Sequence, residues 1–262
     1  MNLVQLDIDQ GTGIAHLKFN RPEVLNAIDV PLAKALLAQV EVLAADDCVR
    51  CIVLSATGRA FVAGGDLARF AEDFDHAAGV VDELLDALHP AIRILRKIDA
   101  PVLAVVHGAV AGAGLSLMAG CDLVIAAAGT RFVMAYDRVG ASPDCGGTYD
   151  LPRLLGPRRA ARFYMLSEPL SAEDALSMGL VNELVPPDQL DDLAQAWASR
   201  LANGPTRAYG RYKQLVQQSF HSSLDEQLEA ERAAFKAATE TNDFRVGVKA
   251  FLSKQAPVFT GR

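Results

Sequence analysis

Several ingredients are scarce in this chain, and each scarcity removes a class of protein. Only four of its 262 residues are cysteine, Cys48, Cys51, Cys121 and Cys145. They sit in apolar or turn surroundings without the regular spacing of a disulfide-stapled secreted domain. The one C-x-x-C, Cys48 to Cys51, has no second pair, and Cys51 opens the apolar run CIVLSA, so no metal centre is predicted there. Basic residues are in deficit, 25 against 32 acidic, and the net charge is −7. That leaves no positive field for nucleic acid or an anionic bilayer, so any anionic ligand must be met by a local cluster. The start, MNLVQLDIDQ, carries Asp7 and Asp9 where an export signal has a basic end and an apolar core. The expectation is a cytoplasmic protein with no nucleic-acid or membrane partner.

Apolar residues, by contrast, make up 51% of the chain, enough for a sizeable core. LVQLDID and GIAHLKF alternate as two strands about a turn at residues 11–13. A helix is predicted from Pro31 to Ala45, with Leu32, Leu36, Val40 and Leu43 on one face and Asp29 as its cap. RCIVLSA, VLAVV and CDLVIAAA read as buried strands, and Val81, Leu84, Leu88, Ile92 and Leu95 mark a long amphipathic helix between the first two. Alternating strands and helices imply an α/β fold with a largely parallel sheet. Beyond residue 156 nearly everything reads helical, except LVNELV. Gly204-Pro205 is the best internal boundary, separating a core over 1–203 from a helical segment over 204–262.

The uncharged stretch from Pro101 to Gly120 could be taken for a membrane span, but its β-branched opening and glycines 108, 112 and 114 fit a strand, a turn and a buried helix better. Two places share the design of a strand, a small-residue turn and a helix start: CIVLSATGRAFVAGGDL and VLAVVHGAVAGAGLSL. Small residues let a ligand approach the backbone, and the first turn of a helix leaves N–H groups unpaired, which suits an oxyanion. Tight packing of helix on sheet explains the same glycines. Gly112-Ala113-Gly114 fails the dinucleotide fingerprint, since Leu117 stands where its third glycine belongs. ASPDCGG, residues 141–147, places Asp144 in an apolar neighbourhood. A turn or helix cap is the ordinary reading of such an Asp.

Six ordered segments change that reading: FNRPEVLNAID, GRAFVAGGDL, PVLAVVHGAVAGAGLSLMAGCDLVIAA, PDCGGTYDLPRLLG, LSAEDALSMGLVNELV and DFRVGVKAFLSKQAPVFTG. Together they resemble the enoyl-CoA hydratase/isomerase, or crotonase, superfamily, closest to the branch that includes the ring-epoxide isomerases of phenylacetyl-CoA breakdown. The resemblance implies a spiral of strand-strand-helix turns, a C-terminal helical trimerisation region, trimers or hexamers, and action on acyl-CoA thioesters. No separate cofactor or metal is implied, coenzyme A being part of the substrate. The family's two thioester-binding amides fall on Ala63 and Ala113, with Gly64, Asp66 and Gly112 beside them. Ser116 and Tyr136 stand where the family's hydratases carry two glutamates. Hydration needs a base for water and an acid for carbon, which Ser116 and Tyr136 do not readily supply near neutral pH. A double-bond shift needs one carboxylate to move a proton between the γ and α carbons, and Asp144 is the candidate, with Tyr136 in the substrate site. For the coenzyme A phosphates Arg21, Arg59 and Lys254 are the candidate cations, and by the resemblance Lys254, with Phe251 flanking the adenine, would reach over from a neighbouring subunit.

Overall fold

Strict alternation of buried side chains decides how the central sheet is covered. The computed structural model describes residues 2–71 and 73–262 and contains eight strands: β1 (Val4–Asp9), β2 (Ile14–Phe19), β3 (Cys51–Ala56), β4 (Val102–Val106), β5 (Ala109–Ala111), β6 (Leu123–Ala127), β7 (Arg131–Val133) and β8 (Glu183–Val185). Six of these form a sheet in the order β1-β2-β3-β4-β6-β8, antiparallel only between β1 and β2. Ile52, Leu54, Ala104, Val106, Val124 and Ala126 point into the main core. Their neighbours Cys51, Val53, Leu103, Val105, Ile125 and Ala127 point the other way, into a second cluster. Both faces are dry, which is why these strands read as continuous apolar runs.

The helices are α1 (Val30–Ala45), α2 (Leu67–Ala71), α3 (Ala77–Lys97), α4 (Ala113–Ala119), α5 (Gly147–Leu155), α6 (Pro157–Met165), α7 (Ala172–Ser177), α8 (Leu190–Ala202), α9 (Thr206–Ser219), α10 (Leu224–Thr239) and α11 (Asn242–Leu252). Asp29 caps α1 as expected, its carboxylate accepting from Leu32 N. On the main face α1 packs against α3. On the other, α8 lays Leu190, Ala194, Ala198 and Ala202 along the sheet. The stretch 101–120 resolves into β4, β5 and the wholly buried α4, and no helix among the described residues is long and apolar enough to cross a membrane.

A second, smaller layer carries the site. β5 pairs in parallel with β7, and single bridges extend that pairing: Val62 to Val110, Ile28 to Gly65, and Phe132 to Leu170. Each pass of the chain leaves the large sheet, contributes a few residues to this layer and returns through a helix, which is the spiral the resemblance implied. Past Gly204, α9 to α11 follow one another. Arg50 ties the junction back to the core through Gly204 O at 2.6 Å and Thr206 Oγ1 at 2.5 Å.

Candidate active site

Whether an amide can hold a ligand depends on whether the chain has already used it. Ala63 N–H donates to Leu25 O at 3.1 Å, so the sequence-based assignment of Ala63 as an oxyanion donor is corrected: that hydrogen already has an acceptor. The bridge beside it shows where the donor lies. Ile28 spends its N–H on Gly64 O and its carbonyl on Asp66 N. In such a parallel bridge Gly65 must turn its own N–H away from Ile28. The opposite edge of the turn is the one that meets β5, where Ala111 N donates to Val62 O. Among the described residues no acceptor meets Gly64 N–H or Gly65 N–H.

Across from this turn α4 begins at Ala113, its first position, whose amide has no partner within the helix. Gly112 precedes it at φ +50, and Gly64 has φ +102, both left-handed conformations that favour glycine. The two backbones nearly touch: a Cβ on Gly112 would sit 3.4 Å from Gly64 Cα. Gly114 serves packing instead, since a Cβ there would fall 2.5 Å from Val62 O. Gly64, Gly65 and Ala113 thus leave unengaged N–H groups about this close approach, Gly65 turned away from Ile28 and Ala113 at the start of a helix.

The third component arrives on the loop between β7 and α5. Its ends are held in unusual backbone, Ala135 at φ +64 and Cys145 at φ +51. Such positions cost about 1–3 kcal/mol and recur where a loop must aim a side chain. Between them Tyr136 O–H donates to Asp144 Oδ1 in a very short contact. Ser116, fully buried on α4, lies 3.5 Å from the same hydroxyl and donates weakly to Gly112 O at 3.4 Å. The tyrosine ring also closes over the turn of α4, its Cζ 3.9 Å from where a Gly112 Cβ would be. Burial, reinforced by the Asp144 charge, pushes the Tyr136 phenol well above its ordinary range, so it stays a donor. The Asp144 side chain caps no helix: α5 starts after Gly146 without a side-chain cap, and only the Asp144 backbone carbonyl accepts there, from Gly147 N at 2.9 Å.

Other sequence candidates lie elsewhere. Arg21 does not reach outward: its Nη1 meets Asp66 Oδ2 at 2.8 Å, Asp29 Oδ2 at 3.3 Å and Ala27 O at 3.0 Å. The assignment to a coenzyme A phosphate is therefore corrected, because two carboxylates already neutralise that guanidinium, and Asp66 is committed to it. Arg59 is exposed beside the site strand. Phe251 and Leu252 line a cavity of about 370 Å³ between α9 and α11, with none of the turn or loop residues above, and Lys254 follows just beyond at the surface. No group of three or more His, Cys, Asp or Glu among the described residues is placed to hold a metal ion. His107 Nε2 donates to Gly58 O at 2.8 Å and so serves the strand end.

Two supports escaped sequence reasoning. Asn26, fully buried at φ +57, accepts from Arg21 N at 2.8 Å and donates to Thr57 O and Ala60 O at 2.9 and 3.0 Å. It clamps the loop whose Leu25 carbonyl engages Ala63. Arg96 on α3 pairs with Asp150 on α5 beneath Gly146, where burial raises the Asp150 carboxyl against the pull of Arg96. The available signal for the first was an Asn in the loop segment RPEVLN, a residue type that tolerates positive φ; nothing local signals the second.

Residues 9–262 match the family profile described as Enoyl-CoA hydratase/isomerase. The chain is similar to the 1,2-epoxyphenylacetyl-CoA isomerase of Escherichia coli K12, at 39% identity over 95% of this chain and 96% of that one. It is also similar to the trans-2-decenoyl-[acyl-carrier-protein] isomerase of Streptococcus mutans, at 33% identity over 100% of both. Proteins named as hydratases stand among its relatives as well. A crystal structure of an enoyl-CoA hydratase/isomerase from Mycobacterium abscessus superposes with a TM-score of 0.93 at 34% identity, covering 99% of this chain and 100% of that one.

Proposed function

From the premise that this chain belongs to the enoyl-CoA hydratase/isomerase family, and is an enzyme of that family, we propose that it is an enoyl-CoA isomerase using Asp144 as its single proton carrier. One observation carries the choice: the Ser116–Tyr136–Asp144 cluster contains one carboxylate among the described residues, and the tyrosine beside it is held protonated. Removing a proton from the α carbon of a 3-enoyl thioester leaves its electron pair in a dienolate, with the negative charge on the thioester oxygen. The amides of Gly65 and Ala113 meet that charge, each worth about 3 kcal/mol of barrier when well aimed. The same carboxyl then returns the proton to the γ carbon, giving the 2-enoyl thioester. No net redox change or external acid is required.

Isomerases among the relatives support this direction, and hydratases among them favour a second reading in which Asp144 activates water. Incubation with 3-enoyl-CoA and, separately, 2-enoyl-CoA distinguishes them. Double-bond migration without a 3-hydroxyacyl product is the expected result; hydrated product at comparable rate would overturn it. A homo-oligomer belongs to the same proposal, supported by Phe251 and Leu252, whose side chains stand more than three-quarters exposed on α11. In a trimer or hexamer Phe251 and Lys254 would meet a neighbour's coenzyme A, and the exposed Arg59 would offer its charge to the phosphates within its own protomer.

A further inference from the structure

A carboxylate that accepts a proton at one carbon and delivers it to another must keep the same oxygen aimed at both. Free rotation about the Asp144 side chain would present either oxygen and expose the transferred proton to exchange. We propose that Tyr136 is the positioning residue of this base: its hydroxyl ties Asp144 Oδ1 and so turns Oδ2 into the oxygen that exchanges protons with the acyl chain. The proposal rests on the reading of Asp144 as the proton carrier.

Three features of the fold make Tyr136 suited to this. Its backbone is fixed, with Tyr136 N–H bonded to Met134 O at 2.9 Å and its carbonyl accepting from Ala141 N at 3.0 Å. Its ring lies against the Gly112 turn, which couples the base to the amides rather than leaving it on a free loop. Its hydroxyl is flanked on the inner side by Ser116 at 3.5 Å, too long to draw it away from Asp144. The titratable groups facing the pair are Asp144 itself and the Cys145 thiol, which burial first and the Asp144 charge second push well above the ordinary value. Both neighbours of the carboxylate are therefore neutral donors near pH 7, and neither competes as a base. Tyr136, standing where a second carboxylate would be in a hydratase, thus has a use in an enzyme that needs only one.

The experiment compares Tyr136→Phe, replacement of Tyr136 by 3-fluorotyrosine, and Asp144→Asn in the full-length protein, using 3-enoyl-CoA deuterated at the α carbon. Loss of one hydrogen bond to a charged group predicts that Tyr136→Phe lowers kcat about 10- to 100-fold while KM changes less than about threefold. The acidic limb of its pH–rate profile should move to higher pH, because a hydrogen bond to the ionised form favours that form. Retention of label at the γ carbon should fall. The 3-fluorotyrosine protein, whose phenol is the stronger donor, should shift the limb the opposite way and keep the label, which also covers the case in which the phenylalanine variant folds poorly. Unchanged kcat, limb and label in Tyr136→Phe, with Asp144→Asn inactive, would overturn the positioning role alone. Turnover surviving in Asp144→Asn would overturn the base assignment and this inference with it.

Discussion

The turn at Gly64-Gly65 and the loop from Ala135 to Gly146 border the same glycine, Gly112, yet they are held by different means. In the first, the working parts are amides, and each position is set by which neighbouring amides are already used: Ala63 by Leu25, Gly64 and Asp66 by Ile28. Side chains there matter mainly by being absent. In the second, the working parts are side chains, joined hydroxyl to carboxylate, and the backbone matters by carrying strain at both ends. The backbone-built half should lose stability and activity together. The side-chain-built half should lose activity while its stability is kept.

The sharpest break in that comparison is Asp144→Asn. Turnover should fall by on the order of 10³-fold, with a urea midpoint within error of the parent protein. A parallel loss of stability would place the carboxylate in the structural class. Next in size, Gly114→Ala forces a Cβ against Val62 O at 2.5 Å and so moves the start of α4. Here kcat should drop about 10- to 100-fold, and unfolding free energy about 1–3 kcal/mol, in one variant. Activity lost at full stability would show that the two halves respond alike.

Asn26→Ala tests the clamp behind the turn. It leaves Arg21 N–H, Thr57 O and Ala60 O without their partner and should cost about 2–4 kcal/mol, read from urea denaturation, with part of the activity regained on cooling. The smallest effect concerns the thiols. Burial pushes Cys51 and Cys121 up to about 12 and Cys145 higher still, whereas Cys48 is exposed. At pH 8 a disulfide reagent should therefore titrate one thiol in the native protein, four after unfolding, and the singly labelled enzyme should keep its activity. Rapid labelling of Cys145 would mean that the Asp144 loop opens.

Much of this was legible beforehand where a property is local. Asp29 capping α1, the apolar runs of β3, β4 and β6, and the strand in LVNELV follow from residue type and period. β5 and β7 escaped notice because three-residue strands carry too few residues to show a period. Asp144 was found by its place in a motif. Its partner was found only as an occupant of the site, since nothing in the seven residues between Tyr136 and Asp144 requires that their side chains meet.

The sequence by itself determined the α/β class with its parallel sheet and the small-residue turns, because period and steric size are properties each residue carries with it; the spiral and the choice of Asp144 came from the resemblance of its ordered motifs to a family. Tertiary structure alone decided that Ala63 N–H is already engaged while Gly65 N–H is not, that Arg21 faces inward between two acids, and that the Tyr136 hydroxyl meets the Asp144 carboxylate. A hydrogen bond or ion pair can be spent only once, and which partner takes it depends on segments brought together from distant parts of the chain.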